Sequence, residues 1–224
     1  MADSNRLQWD QVGERKYENG IKNVVLYPMS SNSYPTGVAW NGITKITESP
    51  EGGDPTDLWA DNIKYGTLRA AEKFGGTIEA YTYPDEWAEC DGSACPISGV
   101  AVGQQTRKTF GLCYRTEIGT DTNAEAGYQI HVVYGATAKP SSRDHETIND
   151  SPAATTMSWE FDTIPAPFSA AGSYSTFKPT AHIVIDSTVV GSSKMASVEE
   201  VLYGGTSSAY LPLPDALLGI IAAG

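Results

Sequence analysis

The sequence predicts a mainly β protein that folds as one large domain. Thr, Ser, Tyr and Val recur throughout, and 22 glycines and 13 prolines interrupt the chain, a composition typical of strands joined by turns. Several segments alternate apolar and polar residues with the period of two that a half-buried strand requires. With 224 residues, the chain is long enough to bury a core without disulfides or metal ions.

The first third of the chain predicts an arm, two strands and a long loop. Residues 1–20 are polar and lack periodicity, so we expect an N-terminal arm. Strands are predicted at Ile21–Tyr27 and Val38–Ile46 from their β-branched and aromatic content. Residues 48–61 contain five acids, two prolines, two glycines and no base, which predicts a solvated loop. Loops of this length within a compact domain usually have a function.

A β-hairpin is predicted where Gly75 and Gly76 separate two strand-like segments, Lys64–Phe74 and Thr77–Tyr83. Two consecutive glycines tolerate the positive φ angles of a tight two-residue turn. One face of this hairpin would be apolar and the other mostly polar. The second face includes Thr67, Arg69, Thr77, Glu79 and Tyr81.

The remaining elements are predicted from short periodic segments. Residues 84–89 begin with Pro and carry acids in their first turn, which favours a short helix. The cleanest strand alternates Met157, Trp159 and Phe161 with polar residues. Residues 165–224 are expected to hold a strand, a helical turn and a terminal helix or docked strand. The predicted strands are Gln104–Ile118, Tyr128–Ala138, Thr155–Ile164 and His182–Val190, the helical turn is Ser197–Tyr203, and the terminal segment is Pro214–Gly224.

The charge balance argues against a nucleic-acid-binding protein. The chain has 27 acids and 15 bases, a net charge of −12, and its bases form no cluster larger than a pair, whereas phosphate contacts need such a cluster. The N-terminus has no signal-peptide pattern, and the apolar stretch Ala216–Ala223 is shorter than the roughly 20 residues of a membrane span. We therefore expect a cytosolic protein in which Cys90, Cys95 and Cys113 are free thiols.

No group of residues has the spacing of an established active site, so the chain is predicted not to be an enzyme and to need no cofactor. Cys90 and Cys95 form one widely spaced pair, whereas a structural zinc site usually has two tight pairs. The acids of residues 48–61 lack the alternating ligands and central glycine of a calcium loop. His131 lies in an apolar strand segment and is expected to be structural.

Seven segments of unusual sequence follow one another between about Tyr17 and Thr163, roughly two-thirds of the chain. They are WNGITKITES (Trp40–Ser49), ADNIKY (Ala60–Tyr65), EAYTYPDE (Glu79–Glu86), AECD (Ala88–Asp91), RKTFGLCYRT (Arg107–Thr116), YGA (Tyr134–Ala136) and TMSWEF (Thr156–Phe161). In this order they resemble the major tail protein, or tail tube subunit, of long-tailed siphophages that infect Gram-positive bacteria. Long strings in one order are more specific than a four-residue motif.

The resemblance implies a structural virion protein of the phage tail, assembled in the host cytoplasm. Such subunits have a β-sandwich or partial barrel with a short flanking helix and long assembly loops. Six subunits form a ring whose inner strands join into one barrel, and the rings stack into a tube. The implied partners are further copies of this chain, a tape-measure protein inside the tube, and the tail terminator and tail tip proteins. Genome DNA passes through without specific binding.

Three groups of residues are candidates for the contacts of such a tube. The loop at residues 48–61 is the candidate for reaching the next ring, acids on strand faces are candidates for a channel wall that repels phosphates, and the Gly-Gly hairpin is the candidate for the inner barrel. The inter-ring candidates are Glu48, Glu51, Asp54, Asp57, Leu58, Trp59 and Asp61, the lumen candidates are Glu79, Glu160 and Asp162, and the inner-barrel candidates are Thr67, Arg69, Gly75, Gly76, Thr77 and Tyr81.

Other functions are compatible with an acidic β domain. A carbohydrate- or host-surface-binding module would use exposed aromatic residues, for which Tyr81, Tyr83 and Trp87 are candidates. A tail-terminator protein would form a single ring instead of a long tube. An enzyme is the least expected alternative, with Glu160 and Asp162 as the carboxylate pair of a glycosidase.

Overall fold

The computed structural model describes residues 7–145, 147, 154–169 and 172–223, and it confirms the mainly β architecture. Its strands are β1 (Lys16–Pro28), β2 (Val38–Ala39), β3 (Ile43–Glu48), β4 (Pro55–Ala60), β5 (Ile63–Arg69), β6 (Gly75–Ala80), β7 (Ala94–Ile97), β8 (Val100–Val102), β9 (Phe110–Thr120), β10 (Gly127–Ala138), β11 (Met157–Thr163) and β12 (His182–Asp186). Its helices are α1 (Trp87–Asp91), α2 (Ser187–Val190), α3 (Ser192–Tyr203) and α4 (Pro214–Ala223). The main antiparallel sheet runs β2-β1-β9-β10-β11-β6-β3, with β12 beside β10.

The main sheet divides at β10. The first half of β10 pairs with β12, whereas its last residues pair with β11. Gly135 lies between the two halves with φ +62°, and a Cβ there would lie 2.1 Å from the carbonyl oxygen of Ile164, so the bend requires glycine. Strands β11, β6 and β3 diverge from β12, and β3 comes back into contact with β1. The result is a sandwich-like sheet with one enclosed face.

The enclosed face of the sheet carries an aromatic core. The rings of Trp40 and Trp87 have centroids 4.6 Å apart, and those of Trp87 and Trp159 are 5.4 Å apart. Phe110 packs edge-on against Trp87 at 5.0 Å. Trp87 is the first residue of α1, close to the short helix predicted at residues 84–89. Each such aromatic pair contributes about 0.5–1.5 kcal/mol to stability beyond the effect of its buried area. These contacts therefore stabilise the packing of α1 against the sheet.

The opposite face of the sheet is covered by the C-terminal helices. Residues of α3 and α4 pack against side chains from β1, β9 and β10 in a second buried cluster. The hydroxyl of Tyr27 donates to the carbonyl of Leu202 at 2.5 Å, and that of Tyr134 donates to the carbonyl of Pro212 at 3.0 Å. The same three strands also line the aromatic core, so the two cores share one set of strands.

Residues 165–224 are more helical than the sequence predicted. The strand expected at His182–Val190 ends at Asp186, because the carboxylate of Asp186 accepts from the backbone N–H of Thr188 at 2.7 Å and caps α2. The helical turn predicted at Ser197–Tyr203 is the second part of α3, and the terminal segment is helical through Ala223. The described part of this region therefore contains the one predicted strand, in shortened form, and three helices.

The N-terminal part of the chain also differs from the prediction in its boundaries. The expected arm at residues 1–20 is shorter, because β1 begins at Lys16 and pairs there with the end of β9. Residues 1–6 of that arm lie outside the described residues. The single strand predicted at Val38–Ile46 is two strands, β2 and β3. Between them Trp40 turns into the aromatic core, and Gly42 has φ +81°.

Strands β3 to β6 form one long antiparallel hairpin. The pairing keeps the same register from β3 and β6 in the main sheet, through a bridge between Glu51 and Lys73, to most of β4 and β5. Asp61 and Asn62 form the turn with φ angles of 51° and 65°, as a type I′ turn requires. The prediction of a long loop at residues 48–61 is therefore wrong. Its acids and prolines lie mostly on a strand or beside it.

Gly75 and Gly76 do not form a turn, and the hairpin predicted around them is also wrong. Both residues are buried in β6, which lies between β3 and β11. A Cβ on Gly76 would lie 2.4 Å from the carbonyl oxygen of Thr47 and 2.8 Å from Cζ of Phe161. The glycines are needed because a strand and an aromatic ring approach the backbone closely, which is the other use of glycine in a strand.

The alternation predicted for Thr155–Ile164 is confirmed in β11. Trp159 and Phe161 are buried in the aromatic core, whereas Ser158, Glu160 and Asp162 are exposed. The strands expected around residues 104–118 and 128–138 are also present as β9 and β10, although β9 begins only at Phe110.

Candidate assembly surface

The outer half of the long hairpin, strands β4 and β5, is an exposed two-stranded projection that we call the ribbon (residues 55–69). All six residues of β4 and six of the seven residues of β5 are exposed. Five large apolar side chains are among them, with exposed fractions of 40% for Leu58, 68% for Trp59, 63% for Ile63, 76% for Tyr65 and 58% for Leu68. A two-stranded hairpin is marginally stable alone in water, and large apolar side chains exposed on both faces of such a projection mark it as an interaction element.

Polar contacts hold the two strands of the ribbon in register. The carboxylate of Asp57 lies 2.8 Å from Nζ of Lys64 and accepts a hydrogen bond of 2.9 Å from the hydroxyl of Thr67. The contact with Lys64, and next the one with Thr67, lowers the pKa of the Asp57 carboxyl. These contacts leave the apolar side chains of the ribbon facing solvent.

The predicted inter-ring residues do not all lie on the ribbon. Asp57, Leu58 and Trp59 belong to β4, Asp61 is in the turn, and Asp54 directly precedes β4. Glu51 lies where the hairpin leaves the sheet, and Glu48 is the last residue of β3, where its carboxylate contacts residues of β9, β10 and β12. Glu48 is partly exposed but lies outside the ribbon, whereas the sequence prediction had placed it with the other inter-ring candidates.

The three predicted lumen acids lie on one face of the β6–β11 pair. Ser158 pairs with Glu79, and Glu160 and Asp162 follow on the same side of β11. Two lysines offset much of this charge, because Lys45 lies 3.7 Å from Glu79 and Lys139 lies 2.9 Å from Asp162 and 3.9 Å from Glu160. The three acids and two lysines together carry a net charge of −1, and this face is exposed to solvent.

The predicted inner-barrel residues lie in two different parts of the observed hairpin. Thr67 and Arg69 lie on the ribbon, whereas Gly75, Gly76 and Thr77 lie in β6 of the main sheet. Tyr81 follows β6 and is 55% exposed. These six residues therefore do not form one hairpin face.

The aromatic platform of a sugar-binding module is not assembled as the sequence suggested. Trp87 is fully buried in the aromatic core, because it begins α1 and contacts Trp40 and Trp159. Tyr83 packs edge-on against Trp159 at 5.7 Å. Of the three candidates, Tyr81 alone stays mainly exposed.

A cluster that sequence reasoning missed lies on the enclosed side of the sheet. Oε1 of Glu48 is 3.2 Å from Nδ1 of His131 and 3.8 Å from Nε2 of His182, and the hydroxyl of Tyr114 donates to the same oxygen. Hydrogen bonding from His131, and then from Tyr114, lowers the pKa of the Glu48 carboxyl to about 2, and burial lowers the pKa of His182. We call Glu48, His131 and His182 the triangle. Among the described residues it is the one group placed to hold a metal ion.

No signal in the sequence joins the members of the triangle, because they come from three different strands. Glu48 ends β3, His131 lies within β10, and His182 begins β12. His131 lies in a strand, as the sequence indicated, and is 6% exposed, but its neighbours are polar.

In the part of the chain that the structure describes, no helix has both the length and the apolar character needed to cross a membrane. No protein-family model matches the chain, and no curated protein is significantly similar to it.

Proposed function

We propose that this chain is a tail tube subunit, a structural protein that assembles into hexameric rings and stacks them into a DNA-conducting tube. The observation that carries this proposal is the ribbon. Its exposed Trp59 and Tyr65, and its Ile63 and Leu68 on the face opposite Trp59, are side chains that further copies of the chain are expected to cover.

The ribbon has the reach that a contact between subunits needs. A strand of six residues, such as β4, spans about 20 Å. Because the ribbon continues the register of the main sheet, it projects in a fixed direction and not as a flexible loop. A projection that binds a different surface on the next copy makes a head-to-tail contact, which propagates into a ring or a tube.

The edges of the main sheet support the same proposal. β12 pairs with β10 on one side and has no strand partner on its other side among the described residues, and Val184 within it is 45% exposed. An edge strand of this kind pairs readily with another chain. Closing such edges between six copies would give the shared barrel of a tube.

The charge of the chain suits a channel that DNA crosses. A net charge of −12 repels phosphates over the distances at which a duplex slides through a pore. Lys45 and Lys139 offset the acids of the β6–β11 face, so acids elsewhere on the assembled wall must supply part of the repulsion. In this proposal the tape-measure protein fills the tube during assembly, and the terminator and tip proteins close its ends.

The ribbon variant Trp59→Ala/Ile63→Ser tests this proposal by sedimentation velocity. We expect the wild-type chain to form hexamers and larger species with rising concentration, and the variant to remain monomeric. Val189→Ser is the matched control, because Val189 is 79% exposed on α2 and away from the ribbon in sequence. Circular dichroism and thermal unfolding should be the same for all three proteins at a concentration where each is monomeric. A wild-type chain that stays monomeric, or a variant that associates as well as the wild type, would contradict the proposal.

A further inference from the structure

The triangle stands on the inner side of three strands that are brought together by the curl of the sheet. On β10 and β12, the register pairs His131 with Val184 and Val133 with His182, so the two histidines are diagonal neighbours on one face. Glu48 reaches them from the end of β3. Side chains that close the enclosed face of a sheet are usually apolar. The buried polar residue His131 on this face therefore needs a physical explanation.

Two of the three distances within the triangle match those between the ligands of a tetrahedral metal ion, and the third is somewhat longer. Nδ1 of His131 is 3.3 Å from Nε2 of His182, and Oε1 of Glu48 is 3.2 Å and 3.8 Å from these two nitrogens. An ion that binds nitrogen and oxygen at about 2.0–2.1 Å in tetrahedral geometry holds its ligand atoms about 3.3–3.4 Å apart. We propose that Glu48, His131 and His182 bind a divalent first-row transition metal ion, with Zn²⁺ as the best match to two imidazoles and a carboxylate.

The hydrogen bonds around His131 leave its Nδ1 facing the other two groups of the triangle. The hydroxyl of Thr116 donates to the carboxylate of Glu18, so its oxygen accepts from Nε2 of His131, which lies 3.0 Å away. Nε2 therefore carries a hydrogen, and in the neutral ring Nδ1 presents a lone pair. In that tautomer Nδ1 of His131 and the Glu48 carboxylate both present lone pairs toward Nε2 of His182, and a cation between the three groups would accept electron pairs from all of them.

A divalent ion in the triangle would take one electron pair from each of its three groups, from Nδ1 of His131, Nε2 of His182 and Oε1 of Glu48.

The surroundings of the triangle resemble the outer layer of a metal site. A ligating histidine usually donates its second N–H to a carboxylate or a hydroxyl, which fixes the tautomer and the ring orientation. The chain from His131 through Thr116 to Glu18 does this. The ring of Tyr114 stacks on His131 at 4.7 Å, and Phe74 stacks on His182 at 4.5 Å, so both imidazoles are held in place before any ion arrives.

Solvent has access to the triangle. A groove of about 450 Å³ is lined by Glu48 and His131, together with Glu18, Tyr114 and Thr116. It gives an ion a path to the ligands and a water molecule a path to the fourth coordination position. The bound ion would tie β3, at the root of the long hairpin, to β10 and β12. The proposed metal site does not depend on the proposed tail tube function.

Metal titration of the tag-free full-length chain, after chelator treatment and dialysis, tests the site. We expect one Zn²⁺ per chain by isothermal titration calorimetry at pH 7, a higher melting temperature with Zn²⁺, and a tetrahedral visible spectrum with Co²⁺. The ligand variants Glu48→Gln and His182→Asn should lose the Co²⁺ spectrum, and Thr116→Val should weaken Zn²⁺ binding by about 10–100-fold.

Three control variants separate this site from other metal-binding groups. His145→Asn removes the third histidine, Cys95→Ser removes the exposed thiol, and Glu160→Gln removes an exposed acid. Each should bind Zn²⁺ like the wild type. Absence of saturable binding at one ion per chain would overturn the proposal. Binding that survives in both ligand variants would overturn it as well. Circular dichroism identifies any variant that fails to fold, and the milder Thr116→Val then decides the result.

Discussion

The backbones of Glu51 and Lys73 pair through two hydrogen bonds of 2.7 Å each, at the point where the long hairpin leaves the main sheet. This pair carries the register of β3 and β6 outward into the ribbon. Because the ribbon has few buried apolar contacts of its own, its order depends on this connection.

The connection predicts that removing one donor at its root loosens the ribbon selectively. Lys73→Pro deletes the N–H that donates to Glu51. Hydrogen exchange of the amides in residues 55–69 should become faster, while the amides of β9 and β10 keep their protection. Glu72→Pro is the control, since the N–H of Glu72 has no backbone partner among the described hydrogen bonds. Equal loosening of the ribbon in both variants would show that the bond to Glu51 does not set its order.

Two glycines of the long hairpin are predicted to respond differently to the same substitution. Gly76→Ala forces a Cβ against Thr47 and Phe161, and overpacking of this kind costs about 1–3 kcal/mol in the free energy of unfolding. Gly66→Ala introduces a Cβ into open space on the ribbon, where a substitution changes stability by less than about 0.5 kcal/mol. Urea denaturation of both variants measures the difference. Equal midpoints would contradict the packing assigned to Gly76.

The same hairpin shows which parts of the fold were predictable. The alternation in β11 is unambiguous, because one face is buried against Trp40 and Trp87 while the other is wet. β4 was missed since its side chains face solvent on both sides, so no apolar period marks it. The turn at Asp61 and Asn62 was not predicted, because Gly75 and Gly76 gave a stronger turn signal. In the structure those two glycines allow close packing instead. The triangle could not be predicted from the sequence, because only the curl of the sheet brings Glu48 close to His131 and His182.

Two tryptophans with opposite environments give a further prediction. Trp87 is fully buried, whereas Trp59 is 68% exposed. Trp87→Ala should lower the free energy of unfolding of the monomer by about 3–5 kcal/mol, because it leaves a cavity among three aromatic rings. Trp59→Ala should leave monomer stability within about 0.5 kcal/mol and weaken association. Chemical denaturation at low protein concentration measures the first effect and light scattering the second. A large loss of monomer stability from Trp59→Ala would mean that the ribbon packs within its own chain.

The three cysteines are predicted to differ in reactivity. Burial raises the pKa of the Cys90 and Cys113 thiols to about 12, so both stay protonated at pH 8, whereas Cys95 is exposed. A thiol-reactive disulfide reagent should modify one thiol per folded chain quickly and three after denaturation, because the thiolate is the reactive form. The variant Cys95→Ser should show no fast phase. Two fast thiols in the folded wild type would contradict the burial of α1 or of β9.

Negative-stain electron microscopy of the purified chain tests the tube proposal most directly. We predict rings with sixfold symmetry that stack into tubes as concentration rises, and neither rings nor tubes for Trp59→Ala/Ile63→Ser under the same conditions. Isolated particles of monomer size at every concentration and salt condition, or tubes that form equally well without the apolar side chains of the ribbon, would contradict it.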